Sequence, residues 1–427
     1  MNKIAIKINE LGPIKGQEIE LKPVMLFTGE SSLGKSYVNF LAYYLFYVFS
    51  SERMFDFLLE KTGVDVNEKR EFAFDLKASE LIEWMQNDVK KFFVYLYNYD
   101  GFKCDVRFEF ENVENIYDIN CIMEYSKISD NDVVSLQIDI NGKRFRAYSP
   151  PLQRVDKFIC RNIRRQLCFR FLGEDVYGSF LLPPGRASLL TGDYTALSGS
   201  SKLGLYDLFL RDNDMINIMA LRNRLTNRSN ELFNSQVHSL IKGDLVSDKE
   251  GLFLITEDQQ RIPLSAAASS IKELTPLLQL VLSGSISSTA ICIEEPEAHL
   301  HPEMQTSVAD LLAACINENV SMQITTHSDY FLQRVNQLLK YGRVKEQDPA
   351  RYQEICEETG HQPEHYLDKK QVGAYYFSSE NGKTKIEPLS IGNNGIPMST
   401  FFKVVGILSK EDEFLDDELE KLNQAHV

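Results

Sequence analysis

The stretch that decides the fold is VMLFTGESSLGKS, residues 24–36. Its first five residues form an apolar run that is typical of a buried strand in a parallel sheet. A full match to the pattern GxxxxGK[ST] follows, made of Gly29, Glu30, Ser31, Ser32, Leu33, Gly34, Lys35 and Ser36. The glycines let successive backbone N–H groups face one phosphate, Lys35 adds a positive charge, and the Ser36 hydroxyl is a ligand for Mg²⁺. With a helix predicted from Lys35, this P-loop predicts a site for ATP or GTP.

A second motif, ICIEEPEAHLHP at residues 291–302, is an apolar strand that ends in two carboxylates. The carboxyl edge of a parallel sheet is where phosphates bind. We therefore predict that Glu294 holds Mg²⁺ through water and that Glu295 polarises the attacking water as general base. An apolar run followed by two glutamates is also typical of a solvated strand end, but its place downstream of a P-loop and the following proline favour the site.

The third motif is ITTHS, residues 324–328, one strand later. A lone histidine is more often structural than catalytic. His327, however, ends a short strand one crossover after the paired carboxylates, where an imidazole reaches the γ-phosphate of a nucleotide bound by the P-loop. We therefore predict a catalytic role for His327.

The order of apolar patterns along the chain predicts an α/β fold. Residues 3–21 read as a β-hairpin, residues 51–100 as helical and residues 104–148 as an antiparallel β-subdomain. From Ser269 onward, helices alternate with strands as in a parallel sheet, which makes the core sheet mixed. The expected parts are the N-terminal part of an ATPase head at 1–200, a helical insertion at 201–245, the C-terminal part of the head at 246–345 and an extension at 346–427.

Composition indicates an ordinary globular protein, with 43% hydrophobic and 25% charged residues. The longest apolar run, residues 40–49, is about half of what a membrane helix needs, so we expect no membrane partner and a cytoplasmic location. The seven cysteines, without a CxxC pair, are expected to be free thiols. A net charge of −15 works against non-specific DNA binding, although residues 154–170 form a basic strip. A solvated helix face is the favoured interpretation of that strip.

These motifs carry a family resemblance. A P-loop, paired carboxylates followed by proline, and a histidine after the next strand resemble ABC-type ATPases, which use ATP and Mg²⁺. The segments LGPI, PPGR, EEPEAHLHP and THSDYFL are similar to segments in the ATPase part of the overcoming-lysogenisation-defect (OLD) group and related anti-phage defence ATPases. The resemblance covers most of residues 1–340 and implies a homodimer, or a higher oligomer, in which two copies complete each ATP site head to tail.

The resemblance also locates a signature segment at residues 268–273, ASSIKE. Ser270 matches the signature serine that contacts the γ-phosphate of the partner copy, but Ile271 replaces the usual glycine, which predicts slow hydrolysis. Pro276 within the same helix predicts a kink or a later helix start. Gln153 is the candidate for the Q-loop glutamine.

OLD nucleases continue into a Toprim domain with a DxD motif, and residues 341–427 contain none. The resemblance therefore implies a sensor or switch ATPase that controls a separately encoded effector, a nuclease or another toxin, in response to a phage product. Two alternatives stay open from the sequence: a RecF/SMC-like DNA-repair ATPase, and a scaffold that binds ATP with little hydrolysis. Cys356, His361 and His365 have spacing reminiscent of a zinc knuckle, but a solvated loop is the favoured interpretation.

Overall fold

The computed structural model describes residues 1–62, 71–128, 131–149, 155–191, 204–226, 231–248 and 251–425. Its strands are β1 (Ile4–Leu11), β2 (Ile14–Leu21), β3 (Val24–Gly29), β4 (Glu71–Lys77), β5 (Cys104–Phe110), β6 (Ile116–Ile128), β7 (Asn131–Ile140), β8 (Lys143–Ser149), β9 (Gly178–Leu182), β10 (Gly243–Asp248), β11 (Gly251–Thr256), β12 (Arg261–Pro263), β13 (Thr289–Glu294), β14 (Ser321–Thr325), β15 (Val372–Glu380) and β16 (Lys383–Pro388). Its helices are α1 (Lys35–Ser50), α2 (Phe55–Thr62), α3 (Ala78–Tyr97), α4 (Val155–Leu172), α5 (Arg186–Thr191), α6 (Gly204–Thr226), α7 (Glu231–Ile241), α8 (Ser269–Leu282), α9 (Pro302–Asn317), α10 (Asp329–Gln347), α11 (Pro349–Thr359) and α12 (Ser399–Ala425).

The central sheet has six strands in the order β16-β15-β3-β14-β13-β9. All neighbours pair in parallel except β15 and β16, which form an antiparallel hairpin at one edge. Every residue of β13 and β14 is buried, as expected for strands covered by helices on both faces. The predicted α/β class with a mixed core sheet is confirmed.

Helix α1 follows the P-loop strand and lies inside the molecule. Its sequence is apolar on nearly every face, and 12 of its 16 residues are buried. A helix that is hydrophobic all round has to be covered on all sides. Here it packs between the central sheet and α3 and α4, which fixes the direction in which the P-loop points. None of the described helices is long and apolar enough to cross a membrane.

Three antiparallel sheets surround the core, with strand orders β2-β1-β5, β10-β11-β12 and β4-β6-β7-β8. The N-terminal hairpin and the strands after residue 104 were predicted, but β5 joins the hairpin rather than the later strands. Strand β4 corrects the expectation that residues 51–100 are helical throughout: EFAFDLK alternates with period two, and its pairing with β6 outweighs the helical pattern on either side.

The last part of the chain contributes to the core. Strands β15 and β16, which the sequence places in an extension at 346–427, supply two of the six central strands, and β15 lies directly beside the P-loop strand β3. The acidic residues 411–420 belong to the 27-residue helix α12, whose described side chains between 406 and 419 are exposed or half-buried.

Candidate functional site

The P-loop bends sharply between β3 and α1. Gly29 has φ 121° and Gly34 has φ 88°, and both angles are in the region that glycine tolerates best. At Gly29 the constraint is also steric, because a Cβ atom there would lie 2.2 Å from the Phe377 carbonyl oxygen of β15. Ser32 takes a left-handed conformation with φ 64°. The curl that the motif predicts is therefore present.

The neighbouring hairpin β15–β16 braces the P-loop. The Glu30 N–H donates to the Phe377 carbonyl at 2.9 Å, and the Glu30 carboxylate accepts from the Ser379 N–H at 3.2 Å. The Thr384 hydroxyl donates to the Leu33 carbonyl at 3.2 Å. Three hydrogen bonds thus hold a loop in which Glu30, Ser31 and Ser32 are exposed.

Lys35 is only 6% exposed. Its ammonium group donates to the carbonyls of Gly29 at 3.2 Å and Glu30 at 2.6 Å, so it lies across the mouth of its own loop. Burial lowers the pKa of Lys35, while the carboxylates of Glu295, Glu294 and Glu30 act in the opposite direction. This arrangement keeps a cation where a phosphate group of a nucleotide is expected.

Glu294 ends strand β13 and is 3% exposed. Burial raises its pKa to about 7, and a hydrogen bond with the Ser36 side chain opposes that rise. Its Oε1 atom has no hydrogen-bond partner in the part of the chain that the structure describes. An orphaned carboxylate oxygen beside a serine hydroxyl fits a hard divalent cation such as Mg²⁺, which prefers oxygen ligands.

Glu295 follows with a left-handed backbone, φ 47°, which is uncommon for a residue with a side chain. Its N–H donates to the Thr325 carbonyl at 3.0 Å, which fixes this turn against β14. Its carboxylate is close enough to influence the pKa of both Lys35 and His327. Backbone conformations of this kind cluster at functional sites.

His327 follows β14 and is exposed. Burial of part of the ring and the nearby Lys35 lower its pKa, so the imidazole is neutral at pH 7. Its backbone is held by Glu297, whose Oε1 accepts from the His327 N–H at 2.8 Å and from the Thr326 hydroxyl at 2.7 Å. The motifs did not indicate this role for Glu297. A carboxylate between the apolar residues Pro296 and Ala298 is the feature of the sequence that could have indicated it.

Arg186, from the PPGR segment, is the second residue whose role the sequence did not indicate. It is 1% exposed, and its guanidinium donates to the carbonyls of Glu273 at 2.7 Å, Glu294 at 2.9 Å and Pro183 at 3.0 Å. The Glu273 carboxylate lies 3.4 Å from its Nε. Burial lowers the pKa of Arg186, and four neighbouring glutamates oppose that shift. Arg186 therefore ties helix α8 to the end of β13.

Ser270 lies in the first turn of α8 and is half-buried. The helix starts at Ser269, its N-cap is Ala268, and no side chain caps it, so Ser270 does not serve as a cap. Pro276 is accommodated inside the helix. In the described part of the chain, no hydrogen bond joins Ser270 to the P-loop or to the paired carboxylates. The chain thus gathers Lys35, Ser36, Glu294, Glu295 and His327 at one sheet edge and leaves Ser270 outside that set.

Two further predictions concern Gln153 and the segment that contains Cys356, His361 and His365. Gln153 lies outside the described residues. Cys356, His361 and His365 are packed rather than solvated: Cys356 and His365 are buried, and the His361 ring stacks on Tyr341 with centroids 3.7 Å apart. The described residues contain no group of three or more ligands arranged for a metal ion.

Comparison with known families gives one match. Residues 209–332 match the family described as AAA ATPase domain. The matched region contains Ser270, Glu294, Glu295 and His327, whereas the P-loop lies upstream of it. No curated protein matches the sequence. The family match and the complete P-loop together support an ATPase of the P-loop class.

The solved structures that match this chain include SMC head domains. An SMC head bound to the C-terminal winged-helix domain of ScpA is 13% identical, covering 91% of this chain and 97% of its own, with a TM-score of 0.38. The SMC head domain from Thermotoga maritima is 12% identical, covering 92% and 100%, with a TM-score of 0.36. An SMC head with an extended coiled coil, bound to the C-terminal domain of ScpA derived from Pyrococcus furiosus, is 12% identical, covering 96% and 99%, with a TM-score of 0.37. At such scores these likenesses define neither a partner nor an activity for this chain.

Proposed function

We propose that this protein is an ATPase that hydrolyses Mg·ATP at the carboxyl ends of β3, β13 and β14. The observation that carries the proposal is the convergence of Lys35, Glu294, Glu295 and His327 at this edge, where the charges of Lys35 and Glu295 contribute to the pKa shifts of their neighbours. Lys35 and the backbone N–H groups of the P-loop bind the phosphates. Glu295, on a turn fixed against β14, orients and polarises the attacking water, and the neutral His327 imidazole donates a hydrogen bond to the γ-phosphate.

Ser36 and Glu294 are the residues that hold Mg²⁺ in this proposal. When bound, the cation neutralises charge on the phosphate oxygens. Its charge beside Glu294 favours the ionised carboxylate, which offsets the burial that raises the pKa of this group. The Ser36–Glu294 contact already places both oxygen donors together.

Each site is completed by a second copy of the chain. Ser270 has no side-chain bond to the P-loop of its own chain, and it opens a 14-residue helix whose N-terminal N–H groups and dipole favour an anion. In a head-to-tail homodimer, Ser270 of one copy faces Lys35 and Ser36 of the other, so that ATP joins the two heads. The departure at Ile271 makes hydrolysis slow.

The ATP-dependent dimer serves as the sensor and switch of an anti-phage defence system. The support is the resemblance carried by EEPEAHLHP and THSDYFL. In this proposal the closed assembly holds a separately encoded effector, a nuclease or another toxin, and a phage product releases it.

The test uses Lys35→Ala, which removes a buried cation from the P-loop. Calorimetry should show loss of ATP binding in a folded protein, and cells that carry the variant with its neighbouring gene should lose phage protection. Lys22→Ala, at a half-buried lysine beside the same strand, is the control. Near-normal ATP affinity in Lys35→Ala would remove the P-loop from the mechanism. Protection without any effector gene, or ATPase stimulated by DNA, would instead favour the DNA-repair alternative, and ATP binding without turnover would favour the scaffold.

A further inference from the structure

A basic groove lies between strand β8 and helix α4, away from the ATP site. It is a cleft of about 1070 Å³, and the described residues that line it include five cationic side chains and no carboxylate: Arg144, Arg146, Lys157, Arg161 and Arg165. The chain as a whole carries a net charge of −15. A concentration of cations on such a background is a local feature that the overall composition does not explain.

Two of these cations have no carboxylate partner in the described part of the chain. Arg146 donates to the neutral Gln137 Oε1 at 3.2 and 3.0 Å, and Arg161 is exposed and forms no ion pair within the described residues. The others make ion pairs, for example Arg144 with Asp139 at 3.1 Å and Arg165 with Asp175 at 3.2 Å. Pairs as exposed as these are worth little and exchange readily for another anion. The groove therefore presents uncompensated positive charge to solvent.

The basic groove also contains aromatic side chains, and a second cleft extends it along the protein surface. Tyr148 in its lining is 57% exposed, and the half-buried Phe145 shares the wall. A second cleft of about 590 Å³ shares Phe145, Arg165 and Gln166 and continues to Lys143 and Arg170, and it is also lined by the carboxylates of Glu114 and Asp175. The cationic stretch therefore follows β8, which at about 3.3 Å per residue is roughly 20 Å long. A single phosphate group would fill only a fraction of such a track.

We propose that this basic groove binds single-stranded nucleic acid. Arginine guanidinium groups bind phosphate oxygens with paired hydrogen bonds and stack on bases, and exposed aromatic rings give bases a platform. Arg146 and Arg161 supply backbone contacts, and Tyr148 supplies the stacking surface. An acidic protein would use the charges but would leave the exposed ring without a matched partner. The site is independent of the proposed switch, because no residue of the ATP site lines it.

The experiment measures anisotropy of a fluorescent 20-nucleotide oligo-dT with the full chain over a range of KCl concentrations. The variant is Arg146→Glu with Arg161→Glu, and the control is Arg351→Glu with Lys370→Glu, which makes the same charge change at exposed residues outside the groove. We expect the groove variant to bind at least about ten-fold more weakly. Its salt slope should fall by about 1.4, from about 0.7 per lost phosphate contact on single strands. The control should stay within about two-fold.

A second pair of variants tests stacking. Tyr148→Ala should weaken oligo-dT binding by about five-fold or more, and Tyr148→Phe should restore it, because the ring rather than the hydroxyl supplies the platform. ATP binding, measured on each variant, shows that the fold is intact; if the double reversal does not fold, Arg146→Gln and Arg161→Gln replace it. Any of four results overturns the proposal: no oligo-dT binding at low salt, equal loss in the control, equal or tighter binding of duplex DNA, or preference for polyglutamate over oligo-dT.

Discussion

The two sides of the proposed ATP site are built differently. The P-loop side is braced from several directions: β15 and β16 bond the loop, and Glu297 fixes the backbone at His327. The other side, the start of α8, has no capping side chain, and within the described residues the Ser270 side chain makes no hydrogen bond to the P-loop. One side is complete within the chain, and the other offers its polar groups outward.

In the proposed dimer, this contrast separates the side that is organised within one chain from the side that a second copy would complete. Arg186 joins the two sides, because its guanidinium bonds the carbonyl of Glu273 in α8 and that of Glu294 at the end of β13. A displacement at the start of α8 is therefore transmitted to the carboxylates by a buried, hydrogen-bonded group. In the proposed dimer, engagement of Ser270 by the other copy's ATP acts on the braced side through this link.

The largest expected effect comes from removing the proposed base on the braced side. Glu295→Gln preserves shape and hydrogen bonding but cannot accept the proton, so ATP turnover should fall by about 10²–10⁴-fold while ATP stays bound and the dimer persists. Phosphate release and size-exclusion chromatography with ATP measure the two effects. Glu303→Gln, the same change at an exposed residue of α9, is the control. Turnover at the parental rate would place the base elsewhere, with Glu294 and His327 the next candidates.

The second-largest effect is expected at the start of α8, the side of the proposed ATP site that has no capping side chain. Ser270→Arg should place a bulky cation in the dimer seam, so that ATP no longer joins two heads although each monomer still binds it. Mixed with Lys35→Ala protein, it should regain up to half of the parental activity, because one of the two composite sites then keeps an intact P-loop and an intact serine. Sedimentation and ATPase measurements on the mixture provide the readout. If Ser270→Arg dimerises and hydrolyses ATP like the parent, the serine has no role across the interface.

A smaller effect is expected at Glu297, which positions His327 without contacting substrate. Glu297→Gln keeps one oxygen acceptor but loses the charge that strengthens its two hydrogen bonds, so kcat should fall about ten-fold with little change in KM. Glu297→Ala should lower kcat further than Glu297→Gln, because the Thr326 hydroxyl and the His327 N–H then lose their acceptor. The outcome against this role is that Glu297→Gln and Glu297→Ala lower kcat equally and lower the melting temperature equally. Glu297 would then support the fold rather than the geometry at His327.

The smallest predicted effect concerns stability and pH. Asp212 of α6 accepts from the Leu181 N–H of edge strand β9 at 2.8 Å, and burial raises its pKa to about 8. A carboxyl with a raised folded-state pKa stabilises the fold fully below its unfolded value near 4, and this contribution is lost as the pH rises through about 8. The melting temperature of the parent should therefore drop relative to Asp212→Asn between pH 6 and pH 9, by on the order of a few degrees. Parallel curves for the two proteins would contradict this assignment.

The sequence predicts the elements that carry local signals. The P-loop and the strands β3, β13 and β14 follow from apolar runs, glycines and carboxylates that lie close together in the chain. Strand β4 is missed because a seven-residue alternating segment is flanked by helical patterns on both sides. Its strand state comes from pairing with β6, which local periodicity does not encode.

The bracing of the site is not predicted, because it depends on contacts between distant segments. Arg186 reads as an ordinary loop arginine until Glu273 and Glu294 are brought around it by the fold. The pairing of β15 with β3 joins residues about 350 positions apart in the sequence: Val372 with Val24, and Phe377 with Gly29. The run VGAYYF signals a strand but not its neighbour.

The position of β3 in the sheet has a consequence for biosynthesis. Both of its neighbours, β14 and β15, are translated after residue 320, whereas β3 and the P-loop are among the first 36 residues made. At a translation rate of roughly 5–20 residues per second, tens of seconds pass between the synthesis of β3 and that of the two strands that pair with it. The nucleotide pocket is therefore one of the last parts of the molecule to form, and a chain whose translation stops early carries the complete GESSLGKS motif without the means to shape it.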